Sequence, residues 1–163
     1  MKQDLYISIQ GSNNGISRIK LNDPSTYNSL SLGMLKSLIA VFKDLDKDEK
    51  TRVIILEGSG KGFSAGHNLK EVRSLKGKSN YNKLFDLCSE LMMLITNNNK
   101  PVIAKVHGAA FAAGCQLVAT CDLALSTNEA KFCTPGVNIG LFCSTPMVAL
   151  SRNVNRKKAM KML

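Results

Sequence analysis

An α/β fold is what this sequence predicts, and three observations carry the prediction. Short β-prone runs alternate with stretches whose apolar residues recur at helical spacing. Gly- and Asn-rich segments punctuate the joins between them. Hydrophobic residues make up 44% of the chain, enough for a packed core and too many for a disordered tail. Strands alternating with helices in this way call for a sheet covered by helices. At 163 residues the chain reads as one domain, 1–163, or as part of a larger one.

Residues 5–9 and 16–21 are β-prone, and Gly11-Ser12-Asn13-Asn14-Gly15 between them is a hairpin signal. Asn22-Asp23-Pro24 ends the second run. Ser31 stands where a helix N-cap belongs, followed by Leu35, Leu38, Ile39, Phe42 and Leu45 at helical spacing. A buried-type strand at 53–56 and a Gly-rich loop at 58–66 come next. Leu84, Leu87, Cys88, Leu91, Met92 and Ile95 mark a second amphipathic helix. Pro101 opens a strand at 102–106, since a first-position proline sacrifices no ladder bond. Residues 107–114 read as a small-residue turn into a third helix running through Ala119, and 123–125 as a further apolar strand. Residues 156–163 look helical but stop without a C-cap glycine, so the chain is expected to be truncated at its C-terminus.

Composition narrows the function classes. Lys and Arg total 22 against 12 Asp and Glu, a formal net charge of +10. Such an excess suits a polyanion or a nucleotide phosphate, or simply a solvated basic surface. The basic residues are scattered and only 6% of the chain is aromatic, so no nucleic-acid partner is expected. Cys88, Cys115, Cys121, Cys133 and Cys143 form no C-x-x-C pair and no zinc spacing with histidine; they read as buried thiols, and no metal site is expected. No apolar stretch approaches a membrane span. Residues 1–10 carry Asp4 and run straight into strand-like sequence, with no transit peptide visible.

Two turns carry the chemistry. Gly58-Ser59-Gly60-Lys61-Gly62 invites a phosphate-loop reading, but Gly62 follows the lysine where Ser or Thr is needed. Phe63-Ser64-Ala65-Gly66-His67-Asn68-Leu69 is more telling, because tiny residues leave backbone amides accessible. Gly108-Ala109-Ala110-Phe111-Ala112-Ala113-Gly114 is a second such turn, directly before a helix whose N-terminus offers unpaired N–H groups. Two turns of this kind can converge on one oxygen and form an oxyanion hole. Small-residue turns also serve plain tight packing, and spacing alone does not decide between the two.

The phrases Leu21-Asn22-Asp23-Pro24 with Asn28-Ser29-Leu30, Phe63 to Leu69 as quoted, Pro101-Val102-Ile103-Ala104 with Val106-His107-Gly108, and Gly114-Cys115-Gln116-Leu117 with Cys121-Asp122 occur in one characteristic order. In that order they resemble the crotonase (enoyl-CoA hydratase/isomerase) family. The resemblance implies a crotonase-like spiral, the ClpP/crotonase fold, with stacked sheets, helices outside and the C-terminal helices missing. It implies an acyl-CoA thioester as partner, coenzyme A entering only as part of the substrate, and no other cofactor. A trimer is implied for a C-terminally complete chain. The mitochondrion is the implied compartment, with the cytoplasm as the alternative.

Carried over onto this sequence, the oxyanion amides fall on His67 and Ala113, both backbone N–H groups. Ala65, Gly66, His67, Asn68 and Leu69 would line the thioester and its pantetheine arm, with Asn68 standing where the family has an aspartate. The two glutamates of the family's hydratases match Gln116 and Gly136, which cannot exchange protons, so ordinary hydration is expected to be weak or absent. The implied function is acyl-CoA binding in fatty-acid metabolism. Its alternatives are an enolate-stabilising enzyme such as a decarboxylase and a non-catalytic CoA-binding regulatory protein. The thiols of Cys115, Cys133 and Cys143 and the His67 ring are the nearby groups that could replace a carboxylate, while His107 reads as structural.

Overall fold

The computed structural model describes residues 5–163, so Asp4 lies outside it. Strand β1 (Ile7–Asn13) pairs antiparallel with β2 (Ile16–Leu21). Asn14 and Gly15 close the hairpin with φ of 52° and 82°, the left-handed pair that an Asn-Gly turn supplies. The first strand therefore starts later and ends later than residues 5–9, since pairing continues past an irregularity between Gln10 and Asn13.

A 3₁₀ turn at Pro24–Thr26 leads to helix α1 (Leu32–Lys47), and Ser31 caps it as expected, its hydroxyl accepting from the Met34 amide at 3.2 Å. The Lys100 ammonium holds the other end of α1 by donating to the carbonyls of Leu45 and Asp48. Strand β3 (Val53–Gly58), helices α2 (Leu69–Ser74) and α3 (Lys78–Thr96), and strand β4 (Val102–Val106) follow. Then come β5 (Ala109–Phe111), α4 (Ala113–Thr120), β6 (Leu123–Ser126) and β7 (Lys131–Cys133). A 3₁₀ turn at Pro135–Ile139 precedes α5 (Ser144–Asn153) and α6 (Arg156–Met162).

The main sheet has the order β1-β2-β3-β4-β6, parallel throughout except for the β1 edge. Each parallel step needs a crossover, and α1, α3 and α4 are the crossovers. Period-two alternation buries Ile19, Leu21, Ile54, Leu56, Val102, Ala104 and Val106 on one face. They form a single core with Leu35, Leu38 and Phe42 of α1 and Leu84, Cys88 and Leu91 of α3. The opposite face, with Arg18, Lys20, Glu57 and Lys105, is only half-buried or exposed. There the Glu57 carboxylate meets the ammonium groups of Lys20 at 3.5 Å and Lys105 at 3.2 Å. The sheet is thus built into the core on one face only. The charged alternates on β2, β3 and β4 are the physical reason.

A second, two-stranded parallel sheet pairs β5 with β7. Residues 109–111 are therefore strand rather than turn. The Phe63 and Ser64 amides both donate to the Ala109 carbonyl, at 2.9 and 3.1 Å, which holds the segment extended. β7, α2 and α5 were not legible as elements. In α5 the proline at 146 sits in the first turn, where no intrahelical N–H is required.

The apolar run 123–125 is a strand as expected, but at a sheet edge, with Leu123 and Leu125 exposed. Ile139, Leu141 and Phe142 are exposed as well, beyond β7. The folded chain is therefore expected to bind a hydrophobic dye near neutral pH. The double substitution Ile139→Glu, Phe142→Glu should lower the dye signal without shifting the unfolding midpoint. A dye-silent wild-type chain would contradict the exposed surface.

Candidate active site

Asn28 organises the site, although the sequence offered it only as part of a familiar phrase. It is fully buried with φ 53°, a left-handed conformation that asparagine tolerates. Its side-chain amide donates to the carbonyls of Ser59 (2.8 Å), Gly62 (3.0 Å) and Phe63 (3.1 Å), so it gathers the Gly-rich loop from inside. That loop is a structural turn and not a phosphate cradle. His107 adds a further tie, with Nε2 donating to the Gly60 carbonyl at 2.8 Å, which fits the structural role expected of it.

Residues 27–30 and 64–67 are laced together. The Ser64 hydroxyl donates to the Asn28 carbonyl at 2.9 Å. The Ala65 amide donates to the Tyr27 carbonyl at 3.0 Å, and the Leu30 amide to the Gly66 carbonyl at 2.8 Å. The second turn is joined to the first just as closely: a bridge pairs Ser64 with Ala110, and the Phe111 amide donates to the Ser64 carbonyl at 2.9 Å. A β-carbon on Gly66 would lie 2.9 Å from the Ala113 nitrogen, so the two small-residue turns do meet.

Ala113 is the first residue of α4, so its amide has no intrahelical acceptor. Among the described residues no acceptor meets the His67 amide either. Ala112, which aims Ala113, has φ 49° and ψ −120°, a conformation that L residues avoid and that costs about 1–3 kcal/mol. Its amide is fixed by the Cys133 carbonyl at 2.8 Å, through which β7 holds the strained corner. Strain of this kind persists where surrounding structure over-determines it, commonly at functional sites.

Asn68 has a definite job. Its side-chain oxygen accepts from the amides of Lys70 (3.1 Å) and Glu71 (3.2 Å), so a neutral residue caps α2. Leu69 and Ala65 are exposed, and Gly66 lies at the seam between the turns. Glu71 turns back to accept from the Leu32 amide at 2.9 Å, placing a carboxylate at the N-terminus of α1.

The His67 ring nitrogen Nδ1 lies 3.2 Å from the Leu30 carbonyl, and the ring stands edge-on to Phe85 of α3 with centroids 5.7 Å apart. Burial pushes its pKa down, against smaller upward pulls from Leu30 and the Glu71 carboxylate. His67 Nε2 and Gln116 Oε1 are buried without a protein partner. Gln116 lies on α4, buried at 7% exposure. Gly136 lies on the 3₁₀ turn, where a β-carbon would lie 2.7 Å from Cys143 Sγ.

All five cysteines are free thiols, four of them buried as expected and Cys133 only half-buried. Burial raises Cys88 and Cys115 to about 11 and Cys121 to about 12. Neutral thiols of this kind are poor nucleophiles near pH 7. Among the described residues no group of His, Cys, Asp and Glu could hold a metal, and no helix is long and apolar enough to cross a membrane. Cavities of about 280, 410 and 530 Å³ open on other surfaces, including one beside Lys20, Lys105 and His107.

Known proteins resemble this chain in sequence and fold. The family described as enoyl-CoA hydratase/isomerase matches residues 11–163. Enoyl-CoA hydratase domain-containing protein 3, mitochondrial, is 50% identical over 149 residues in Rattus norvegicus, covering 91% of this chain and 50% of that protein. The Danio rerio protein of the same name is 53% identical over 150 residues, covering 91% of this chain and 52% of its own length. The chain thus spans about half the length of these relatives. A crystal structure of an enoyl-CoA hydratase from Mycobacterium smegmatis superposes with a TM-score of 0.93 at 49% identity, covering 97% of this chain and 62% of that one. The human enoyl-CoA hydratase domain-containing protein 3 gives 0.91 at 47% identity, with 97% and 62% covered. The fold is the crotonase fold, and the chain belongs to the enoyl-CoA hydratase/isomerase family.

Proposed function

We propose that this protein binds an acyl-CoA thioester with the carbonyl oxygen between the His67 and Ala113 amides, and stabilises an enolate there without hydrating an enoyl group. The observation that supports the reading best is the stitched pair of turns. Ser64–Ala110, Phe111–Ser64 and Gly66–Ala113 join the two turns that carry these amides, and the strained Ala112 immediately precedes the second. Amides fixed in advance need no reorganisation when negative charge develops, which is what makes an oxyanion hole effective. Residues 65–69 would line the thioester arm. Coenzyme A enters as part of the substrate, with no further cofactor. The protein would work in fatty-acid metabolism and assemble as a trimer, as the family resemblance implies, and in the mitochondrion, the compartment that its relatives' names give.

Gln116 and Gly136 favour enolate chemistry over hydration, because neither can activate water. Decarboxylation of a malonyl-type thioester is the reaction class that needs an oxyanion hole most and a general base least. A regulatory CoA-binding role is the second reading, and it predicts binding without turnover.

The test compares acetyl-CoA with free coenzyme A by calorimetry. Ala113→Pro deletes the amide donor at the first helical position, where proline fits. The thioester's advantage over free coenzyme A should fall by up to roughly tenfold, the worth of one neutral hydrogen bond to the thioester carbonyl. An unchanged preference would remove Ala113 from the site. Release of CO₂ from malonyl-CoA would separate the enzyme from the regulator.

A further inference from the structure

His67 carries a second function in its side chain, one that a backbone contribution does not explain. Its Nδ1 faces the Leu30 carbonyl at 3.2 Å, and a carbonyl oxygen only accepts. The proton therefore sits on Nδ1, and Nε2 holds a lone pair in a single fixed tautomer. That lone pair is buried with no protein donor, an arrangement native structures seldom keep without a reason. The ring cannot easily swing away to satisfy it, because the backbone at 66–67 is bound to residue 30 and Phe85 stands against the ring.

We infer that the His67 imidazole is the proton-transfer group of this site, taking a proton from the α-carbon of the bound acyl thioester on Nε2. This rests on the acyl-CoA reading above. The lone pair forms the new N–H bond, and the electrons of the broken C–H bond pass into the enolate. The resulting oxyanion lies between the His67 and Ala113 amides. Reversal returns a proton to carbon, so in heavy water the α-position exchanges hydrogen for deuterium with no net chemistry and no co-reactant. In a decarboxylation the same Nε2–H, acquired from water, would quench the enolate that loss of CO₂ leaves behind.

The surroundings suit a base that is neutral when it starts and cationic only briefly. Burial favours the neutral ring. From α2, the Glu71 carboxylate faces the ring electrostatically and would steady the imidazolium once formed. Phe85 from α3 and the Leu30 carbonyl carry no charge. One residue would then serve twice, its amide binding the oxygen and its ring working at the adjacent carbon.

The experiment follows deuterium incorporation into the acetyl group of acetyl-CoA in heavy water by NMR, with binding measured separately by calorimetry. Wild type should exchange, at a rate level through neutral pH and falling in acid as the ring protonates, below the ordinary imidazole range because burial lowers its pKa. His67→Phe should slow exchange by about 10²-fold or more, the usual worth of a general base, while the thioester still binds. Glu71→Gln should move the acid limb to lower pH, because the ring loses a carboxylate that favours its charged form. Wild-type binding without exchange, or full exchange in a folded His67→Phe chain, overturns the assignment and leaves the acyl-CoA reading standing. Failure of the wild type to bind any thioester defeats the acyl-CoA reading and this assignment with it.

Discussion

Crotonyl-CoA is expected to pass through this protein essentially unhydrated, at a rate below that of a two-carboxylate hydratase by about 10⁴-fold or more. General acid–base groups contribute about 10²–10⁴ each, and both positions are vacated here. Gln116→Glu would place a carboxyl where the amide oxygen is buried and unpartnered. Burial would raise its pKa and keep it protonated, so it could donate a proton but could not draw one from water. The single variant should therefore gain little. A second carboxylate at position 136 meets an obstacle that the sequence hid. A β-carbon there would lie 2.7 Å from Cys143 Sγ and 2.9 Å from the Leu141 carbonyl. Gly136→Glu needs that turn to shift, and Cys143→Ala removes the nearer of the two atoms. The combination Gln116→Glu, Gly136→Glu, Cys143→Ala should exceed Gln116→Glu alone by about 10²-fold in hydration. Robust hydration by the wild type, read from loss of enoyl absorbance, would show that another group activates water.

Much of this architecture is legible along the chain because it rests on period and punctuation. The apolar stripes of α1 and α3, the Asn-Gly hairpin and the Pro101 start of β4 all follow from local sequence. β5 and β7 are three residues each and exist only because each supplies the other's partner, so no local signal announces them. The candidate amides at His67 and Ala113 were reached through the resemblance, and composition alone would have left them as small-residue turns. What no linear reading could supply is the lacing. Asn28 reaches 31–35 residues along the chain to hold three carbonyls, and Glu71 reaches back 39 residues to Leu32. The orphaned Nε2 of His67 also needs coordinates, since it depends on which carbonyl the other ring nitrogen finds. Asn68 shows the opposite case: its capping role was readable in principle, because an asparagine before Leu-Lys-Glu is a normal helix start.

The largest structural effect is expected at Gly114, where two opposing contributions can be compared. Gly114 lies in the first turn of α4, so helix propensity alone would favour alanine by about 1 kcal/mol. The position is closed, however. A β-carbon there would lie 2.3 Å from the Ser64 carbonyl oxygen and 2.9 Å from its carbon, both backbone atoms. Ser64 has little room to retreat. Its carbonyl accepts from the Phe111 amide, its hydroxyl is bound to Asn28, and it bridges to Ala110. Overpacking against a fixed neighbour costs about 1–3 kcal/mol and sometimes more, and the tightness here places the cost at the upper end. The clash outweighs the propensity, so Gly114→Ala should destabilise by about 2 kcal/mol or more and pry the two turns apart. Urea unfolding would read the loss as a lower midpoint at unchanged slope. Gly11→Ala is the matched control, because no atom lies within 4 Å of its added carbon. If binding depends on the turns meeting, Gly114→Ala should also lose its preference for acetyl-CoA over coenzyme A at temperatures where it remains folded. A Gly114→Ala chain as stable as the Gly11→Ala control would mean that the turns are not locked, and the preformed oxyanion site would fall with them.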